Sequence, residues 1–302
     1  MSVRVAHLTD LHWFHPPALG DLCAPKRLLG SANLYLRGRR GDFPAAMQDA
    51  AVAHVAALAP DLVVITGDLT ATALAAEFAA ARAALAPLLD RFPTLILPGN
   101  HDRYTRGADR SDRMRATFGA WFHSPPPAHP GDRPLGRLDI GALTCIALDP
   151  TRPTGLSASG EVPPAQLDAL AELLRSDALE GRTWLLALHY PILDRRGHPY
   201  DGWAHGLRNA RALIQVLADA PRRPVAILHG HTHHGYTVPL PLPGGDVPIF
   251  NCGSSGYAWK PAQGRAAAVN LYTVGEATEV TRYLYDGAGF RAEAGGAYAT
   301  GR

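Results

Sequence analysis

Six short apolar runs, at residues 3–8, 62–66, 94–97, 143–148, 184–188 and 225–228, are each bounded by turn-forming residues. Runs this short and mainly apolar predict strands buried on both faces. Between them lie Ala- and Leu-rich stretches at 44–58, 73–89 and 164–174. The last places Leu167, Leu170 and Leu174 on one helical face, as a crossover helix packed on a sheet requires. Alternating buried strands and helices predict an α/β fold. Residues 236–285 carry β-type runs without a helical period and predict additional antiparallel strands. With no internal repeat, low-complexity linker or composition break, the expectation is one domain over 1–302. Its core spans about 1–235, with a β-rich C-terminal extension at about 236–292.

Five of the six runs are followed immediately by groups able to bind a metal. Asp10 and His12 follow the first, Asp68 the second, Asn100, His101 and Asp102 the third, His189 the fifth, and His231 and His233 the sixth. In open α/β sheets the carboxyl ends of the strands line the ligand crevice, so residues far apart in sequence converge there. Seven of them form one expected metal site: Asp10, His12, Asp68, Asn100, His189, His231 and His233. Carboxylate, imidazole and amide carbonyl together suit borderline to hard divalent ions, Mn or Fe first and Zn or Co next. A site for two ions needs a shared ligand, and the two oxygens of Asp68 fit that role. Gly67, Gly99 and Gly230 stand beside three of these residues, where the backbone must turn sharply at a strand end.

The strings Asp10-Leu11-His12, Gly67-Asp68, Gly99-Asn100-His101-Asp102, His189 and Gly230-His231-Thr232-His233 resemble, in order, the five blocks of the calcineurin-like metallophosphoesterases. The resemblance spans about residues 5 to 235. It implies a four-layer α/β/β/α sandwich of two facing mixed sheets flanked by helices, with the metal site at the strand C-terminal ends. It also implies one ion on Asp10, His12, Asp68 and His233, and a second on Asp68, Asn100, His189 and His231. His101 matches the family's catalytic histidine and Asp102 the acid that orients it. The implied activity is phosphoester hydrolysis by in-line attack of a hydroxide held between two divalent ions. An imidazole of ordinary pKa near 6.5 is suited to protonating the leaving oxygen.

Within the family, Ala71 stands where purple acid phosphatases carry a metal-binding tyrosine, and His101 stands where the UDP-2,3-diacylglucosamine hydrolases carry Arg. The compact pattern is closest to the class III cyclic-nucleotide phosphodiesterases, which implies small phosphodiester substrates including 3′,5′-cyclic nucleotides. The alternatives are an SbcD-like nuclease, a nucleotide-lipid pyrophosphatase and a non-catalytic scaffold of the same fold. Two loops leave ligand-bearing strand ends and are expected to touch substrate. The first supplies Arg103 and Tyr104, and the second Arg196, His198, Tyr200 and Trp203. An insertion at 13–43 interleaves Lys26, Arg27, Arg37, Arg39 and Arg40 with Leu28, Leu29, Leu34, Tyr35 and Leu36. Residues 26–40 thus suit weak contact with a membrane surface, contact with an anionic substrate, or a cover over the domain.

The 29 Lys and Arg against 27 Asp and Glu leave a net charge of +2, so no stable nucleic-acid partner is expected. Cys23, Cys145 and Cys252 are an odd count without paired spacing, which predicts free thiols in a reducing compartment. No secretory h-region precedes the first run and no apolar run approaches the roughly 20 residues that span a bilayer, so a cytoplasmic location is expected.

Overall fold

In β1 (Val3–Leu8) the side chains divide by parity: Val3 and Val5 join one core cluster, Ala6 and Leu8 another. The same division holds in β2 (Leu62–Ile65), with Leu62 and Val64 on one side and Val63 and Ile65 on the other. A strand with two buried faces reads as a mainly apolar run, which is why Arg4 and His7 of β1, on opposite faces, set up no polar alternation. The computed structural model describes residues 2–18, 20–21, 26–28, 39–129, 131–154, 157–275 and 277–299. Cys23, residues 29–38 and the side chains of Arg39 and Arg40 lie outside that description.

Two six-stranded mixed sheets result. The first has the order β12-β11-β10-β1-β2-β3, with β3 at Thr94–Ile96, β10 at Ala268–Val274, β11 at Thr278–Tyr285 and β12 at Phe290–Ala292. β1, β2 and β3 run parallel, and β10 pairs antiparallel to β1 with Val5 opposite Tyr272. The second has the order β4-β5-β6-β7-β9-β8, formed by Gly136–Ile140, Leu143–Ala147, Thr183–Ala187, Ile227–His229, Gly245–Asn251 and Tyr236–Leu242 respectively. Its central strands β5, β6, β7 and β9 are parallel. Val5, Val64 and Leu95 of one sheet meet Cys145, Leu185, Leu228 and Phe250 of the other in a shared core, so the sheets face each other.

Helices close both outer faces. α1 (Ala45–Leu58) and α2 (Ala75–Leu89) cover the first sheet through Val52, Val55, Phe78 and Leu85. The start of α2 is fixed by Glu77, whose carboxylate accepts from the backbone N–H groups of Leu74 and Thr72 at 3.0 and 2.9 Å. That satisfies donors a helix start leaves free. Two short helices, α3 (Arg106–Arg110) and α4 (Arg113–Phe118), follow β3. α5 (Pro164–Arg175) and α6 (Ala210–Ala218) cover the second sheet through Leu170, Leu174, Leu213 and Leu217. The order is helices, sheet, sheet, helices: the expected four-layer sandwich. The C-terminal strands are integral to it, since β10 lies beside β1 and β9 beside β7. No helix among the described residues is long and apolar enough to cross a membrane.

Candidate metal centre

The parallel strands deliver their carboxyl ends to one end of the sandwich, and the turns there are sharply bent. Asp10, His12, Asp68, His231 and His233 all have positive φ, at 53°, 55°, 55°, 72° and 56°. Left-handed backbone is uncommon outside glycine, and it persists where surrounding structure over-determines it, typically at functional sites. Gly230 shows how tightly the turns approach one another, because a Cβ there would overlap the carboxylate of Asp10.

Two clusters of ligand atoms follow, one of Asp10, His12, Asp68 and His233 and one of Asp68, His189 and His231, each with its ligand atoms within 4.8 Å of one another. Asp68 belongs to both. Its Oδ1 accepts from the His101 N–H at 2.7 Å, while Oδ2 lies 3.7 Å from His12 Nε2 and 3.4 Å from His189 Nε2. Asp10 is divided the same way. Oδ2 accepts from Thr9 Oγ1 and the His231 N–H, and Oδ1, buried 3.1 Å from His233 Nε2, has no hydrogen-bond partner among the described residues. Asn100 Oδ1 completes the second cluster at 3.2 Å from His189 Nε2.

The histidines are fixed from behind. His189 Nδ1 donates to the Thr66 carbonyl at 2.7 Å, which points Nε2 at Asp68 and Asn100. His231 Nε2 donates to the His205 carbonyl at 2.9 Å, which turns its Nδ1 lone pair inward. An outer hydrogen bond that sets the tautomer is the usual support of a metal-binding imidazole. His12 Nε2 and His233 Nε2 face each other at 3.0 Å. Burial alone would raise the pKa of Asp68, but the charges of His189 and His101 hold it well below the usual carboxylate range. Burial works against protonation of His189, yet Asp68 draws it up to about 9, so this ring holds a proton that a cation would displace. An unpartnered buried carboxylate oxygen and inward-facing ring nitrogens are what divalent cations satisfy; this donor set fits two ions sharing Asp68.

His101 stands beside the first cluster, its ring 4.7 Å from that of His12. One expectation is corrected here. The His101 ring is oriented by the Ala71 carbonyl, which accepts from Nδ1 at 2.6 Å, and not by Asp102. The Asp102 carboxylate instead accepts from the N–H groups of Leu69, Thr70 and Gly99 and from Thr70 Oγ1, tying the turn after β2 to the turn after β3. These donors converge because both turns must pack side by side to present Asp68 and Asn100. Burial lowers the His101 pKa to about 4, and Nε2 has no hydrogen-bond partner among the described residues.

The residues expected to touch substrate are dispersed. Tyr104 stacks on His101 at 5.3 Å, and Tyr200 lies 6.5 Å from His231. Arg103 is buried, with its guanidinium on Asp109, Asp112 and Asp149 at 3.1 Å each, so it is committed to structure. Arg196, His198 and Trp203 are exposed and show no contact with either cluster; Trp203 is 70% exposed. Of the insertion, Lys26 lies over the Tyr104 ring at 4.8 Å and Arg27 is buried against Thr72, while Leu28 is exposed. Sequence reasoning did not find Phe43, whose ring packs 4.4 Å from His12, or Ser254, whose hydroxyl holds the Asp10 carbonyl at 2.7 Å. Neither stands in a run or motif that marks it.

A two-sheet sandwich with a paired candidate ligand cluster at its strand ends is what the metallophosphoesterase resemblance implies. The chain belongs to the calcineurin-like phosphoesterase family, whose sequence model matches residues 3–235. Among solved structures it is similar to a purple acid phosphatase from yellow lupin (Lupinus luteus) seeds, at a TM-score of 0.63 and 12% identity over 97% of this chain and 53% of that one. It is also similar to the NAD nucleotidase of Haemophilus influenzae, at a TM-score of 0.52 and 11% identity over 98% of this chain and 54% of that one. At these identities the likeness shows the fold, and the chain spans about half the length of either structure. No curated protein matches by sequence.

Proposed function

We propose that the protein is a phosphodiesterase that cleaves small phosphodiesters, 3′,5′-cyclic nucleotides among them, with two divalent ions, Mn or Fe. The observation that carries the hydrolytic reading is the pair of clusters joined at Asp68 with His101 beside them. Asp10, His12, Asp68 and His233 would hold one ion, and Asp68, Asn100, His189 and His231 the other. Bound there, the ions supply charge neutralisation at the phosphoryl oxygens and a water acidic enough to attack near neutral pH.

The chain's own part is positioning and proton transfer. The Ala71 carbonyl holds Nδ1–H of His101, which leaves Nε2 as the atom that exchanges a proton with substrate. Burial keeps this ring neutral at pH 7, and the negative charge of a bound phosphoryl group acts in the opposite sense, drawing a proton to Nε2. Preference for a diester is supported by the fate of nearby arginines. Arg103 is neutralised by three aspartates and Arg27 pairs with the Asp21 carboxylate at 3.9 Å, so neither is a free charge for a monoester dianion to draw on.

The test is a panel on Mn-loaded protein: cyclic AMP, bis(p-nitrophenyl) phosphate, p-nitrophenyl phosphate, a nucleotide pyrophosphate and single-stranded DNA. The diesters should be cleaved faster than the monoester. Strong monoesterase activity without diester cleavage would overturn the substrate assignment, and preference for DNA would favour a nuclease. In the same panel His101→Ala should slow turnover by about 10²–10⁴, with the smallest loss for p-nitrophenolate, which leaves without a proton.

A further inference from the structure

A cavity of about 310 Å³ opens beside the metal centre and shares one wall with it, because His233 lines both. Its other walls come almost wholly from residues beyond 235: the β9–β10 connection supplies Tyr257, Trp259 and Arg265, and β11 supplies Arg282 and Tyr285. An aromatic ridge joins the two spaces. Phe43 packs 5.4 Å from His233 and 5.2 Å from Tyr257, and Tyr257 continues into the cavity.

The lining selects a chemistry. Tyr257, Trp259 and Tyr285 offer ring surface, and Trp259 remains 46% exposed, so its indole is not consumed by the core. Arg265 lies over the Tyr257 ring at 5.1 Å, and among the described residues no carboxylate pairs with it. The other charges nearby are matched. Asp286, also on the wall, pairs with Arg291 at 2.6 Å, Lys260 pairs with Asp42, and Arg282 pairs with Glu293 at 3.3 Å. Arg282 is 2% exposed, so its guanidinium is a packed part of this wall and not a free contact. Ring surface and a guanidinium with no carboxylate partner together fit a planar group bearing an oxygen acceptor or a negative charge. The volume lies at the lower end of the ~300–1,000 Å³ of small-molecule sites, enough for a ring system and too small for an oligonucleotide.

We infer that this cavity seats the organic ester group of the substrate, a planar aromatic or heteroaromatic ring with an acceptor substituent facing Arg265, while its phosphate lies at the His233 side of the metal centre. The inference deepens the phosphoesterase reading and rests on it, so its test reads binding and not turnover. Methylphosphonate, phenylphosphonate and 4-carboxyphenylphosphonate, whose P–C bonds resist hydrolysis, would be titrated into Mn-loaded protein by calorimetry. Phenylphosphonate should bind about tenfold tighter than methylphosphonate, the scale of one ring-stacking contact, and the carboxylate should add several-fold more. Trp259→Ala should collapse the first ratio and Arg265→Gln the second, with melting curves confirming that both partly exposed substitutions leave the fold intact. Equal binding of the three probes, no binding of any, or ratios unchanged in both variants would overturn the inference. If esters are cleaved while the ratios are flat, only the cavity assignment falls. If the ratios hold while no ester is cleaved, only the proposed activity does.

Discussion

Among the described residues, Asp68 is the one side chain whose carboxylate belongs to both candidate clusters, whereas Asn100 hydrogen-bonds His189 of the second. Their substitutions should therefore separate. Asp68→Ala should lower bound metal from two ions per chain towards none, and Asn100→Ala should weaken one ion and leave the other, as read by metal analysis after gel filtration. Two retained ions in Asp68→Ala would remove it as the bridge. Lys26 makes a separate, titratable prediction. Burial lowers its pKa from 10.5 to about 8 against the pull of Asp68. The folded state thus binds this proton more weakly than the unfolded chain, so the charged lysine costs stability at pH 7, and the cost is relieved as pH rises from about 8 to 10.5. Lys26→Met should be more stable than wild type at pH 7 in urea unfolding, with an advantage that shrinks by pH 10. An advantage independent of pH would show that the ammonium is not the cause.

At the scale of elements, Arg103 binds the turn after β3 to α3, α4 and the segment after β5. It does so through Asp109, Asp112 and Asp149. Burial alone would lower its pKa, but these carboxylates raise it, so the ion pairs outweigh desolvation. Among the described residues, removing the cation leaves these three carboxylates only Arg133, 3.0 Å from Asp109 and 3.8 Å from Asp149, and Arg115, 3.6 Å from Asp112. Arg103→Met should cost about 3 kcal/mol in unfolding free energy, near the lower end for a broken buried pair because Asp112 is partly exposed. The sequence could not show this role, since an arginine after a ligand block looks the same whether it meets phosphate or aspartate. The six buried strands were legible because both faces are apolar, and β4 was not. Its Arg137 and Asp139 pair with each other at the sheet edge and break the apolar run. The clustered candidate ligands were legible because each follows a run, while the orientation of His101 was hidden. A backbone carbonyl as its partner leaves no residue type to read.

The whole molecule depends on its last strands more than their weak pattern suggests. The family model ends at residue 235, yet β10 is the antiparallel neighbour of β1, and β9 is the parallel neighbour of β7. Those two partners carry Asp10, His12, His231 and His233 at their ends, so the tail supports ligands from both sheets. Ser254 and Ser255 add hydrogen bonds to the Asp10 carbonyl and the Thr9 N–H. A chain ending at 235 would lose Phe250, Tyr272 and Val274 from the core between the sheets, and Leu240, Leu242, Val247 and Ile249 from beneath α5 and α6. At ~1.5–3 kcal/mol for each large buried side chain, these seven amount to about 10–20 kcal/mol. That matches or exceeds the roughly 5–15 kcal/mol by which a domain is stable at all. β1 would also become an exposed apolar edge open to pairing with other chains. The 1–235 fragment should therefore lack a cooperative urea transition and near-ultraviolet circular dichroism, should aggregate, and should hold no stoichiometric metal. A soluble fragment that unfolds cooperatively and retains two ions would show instead that the first 235 residues form a self-sufficient core.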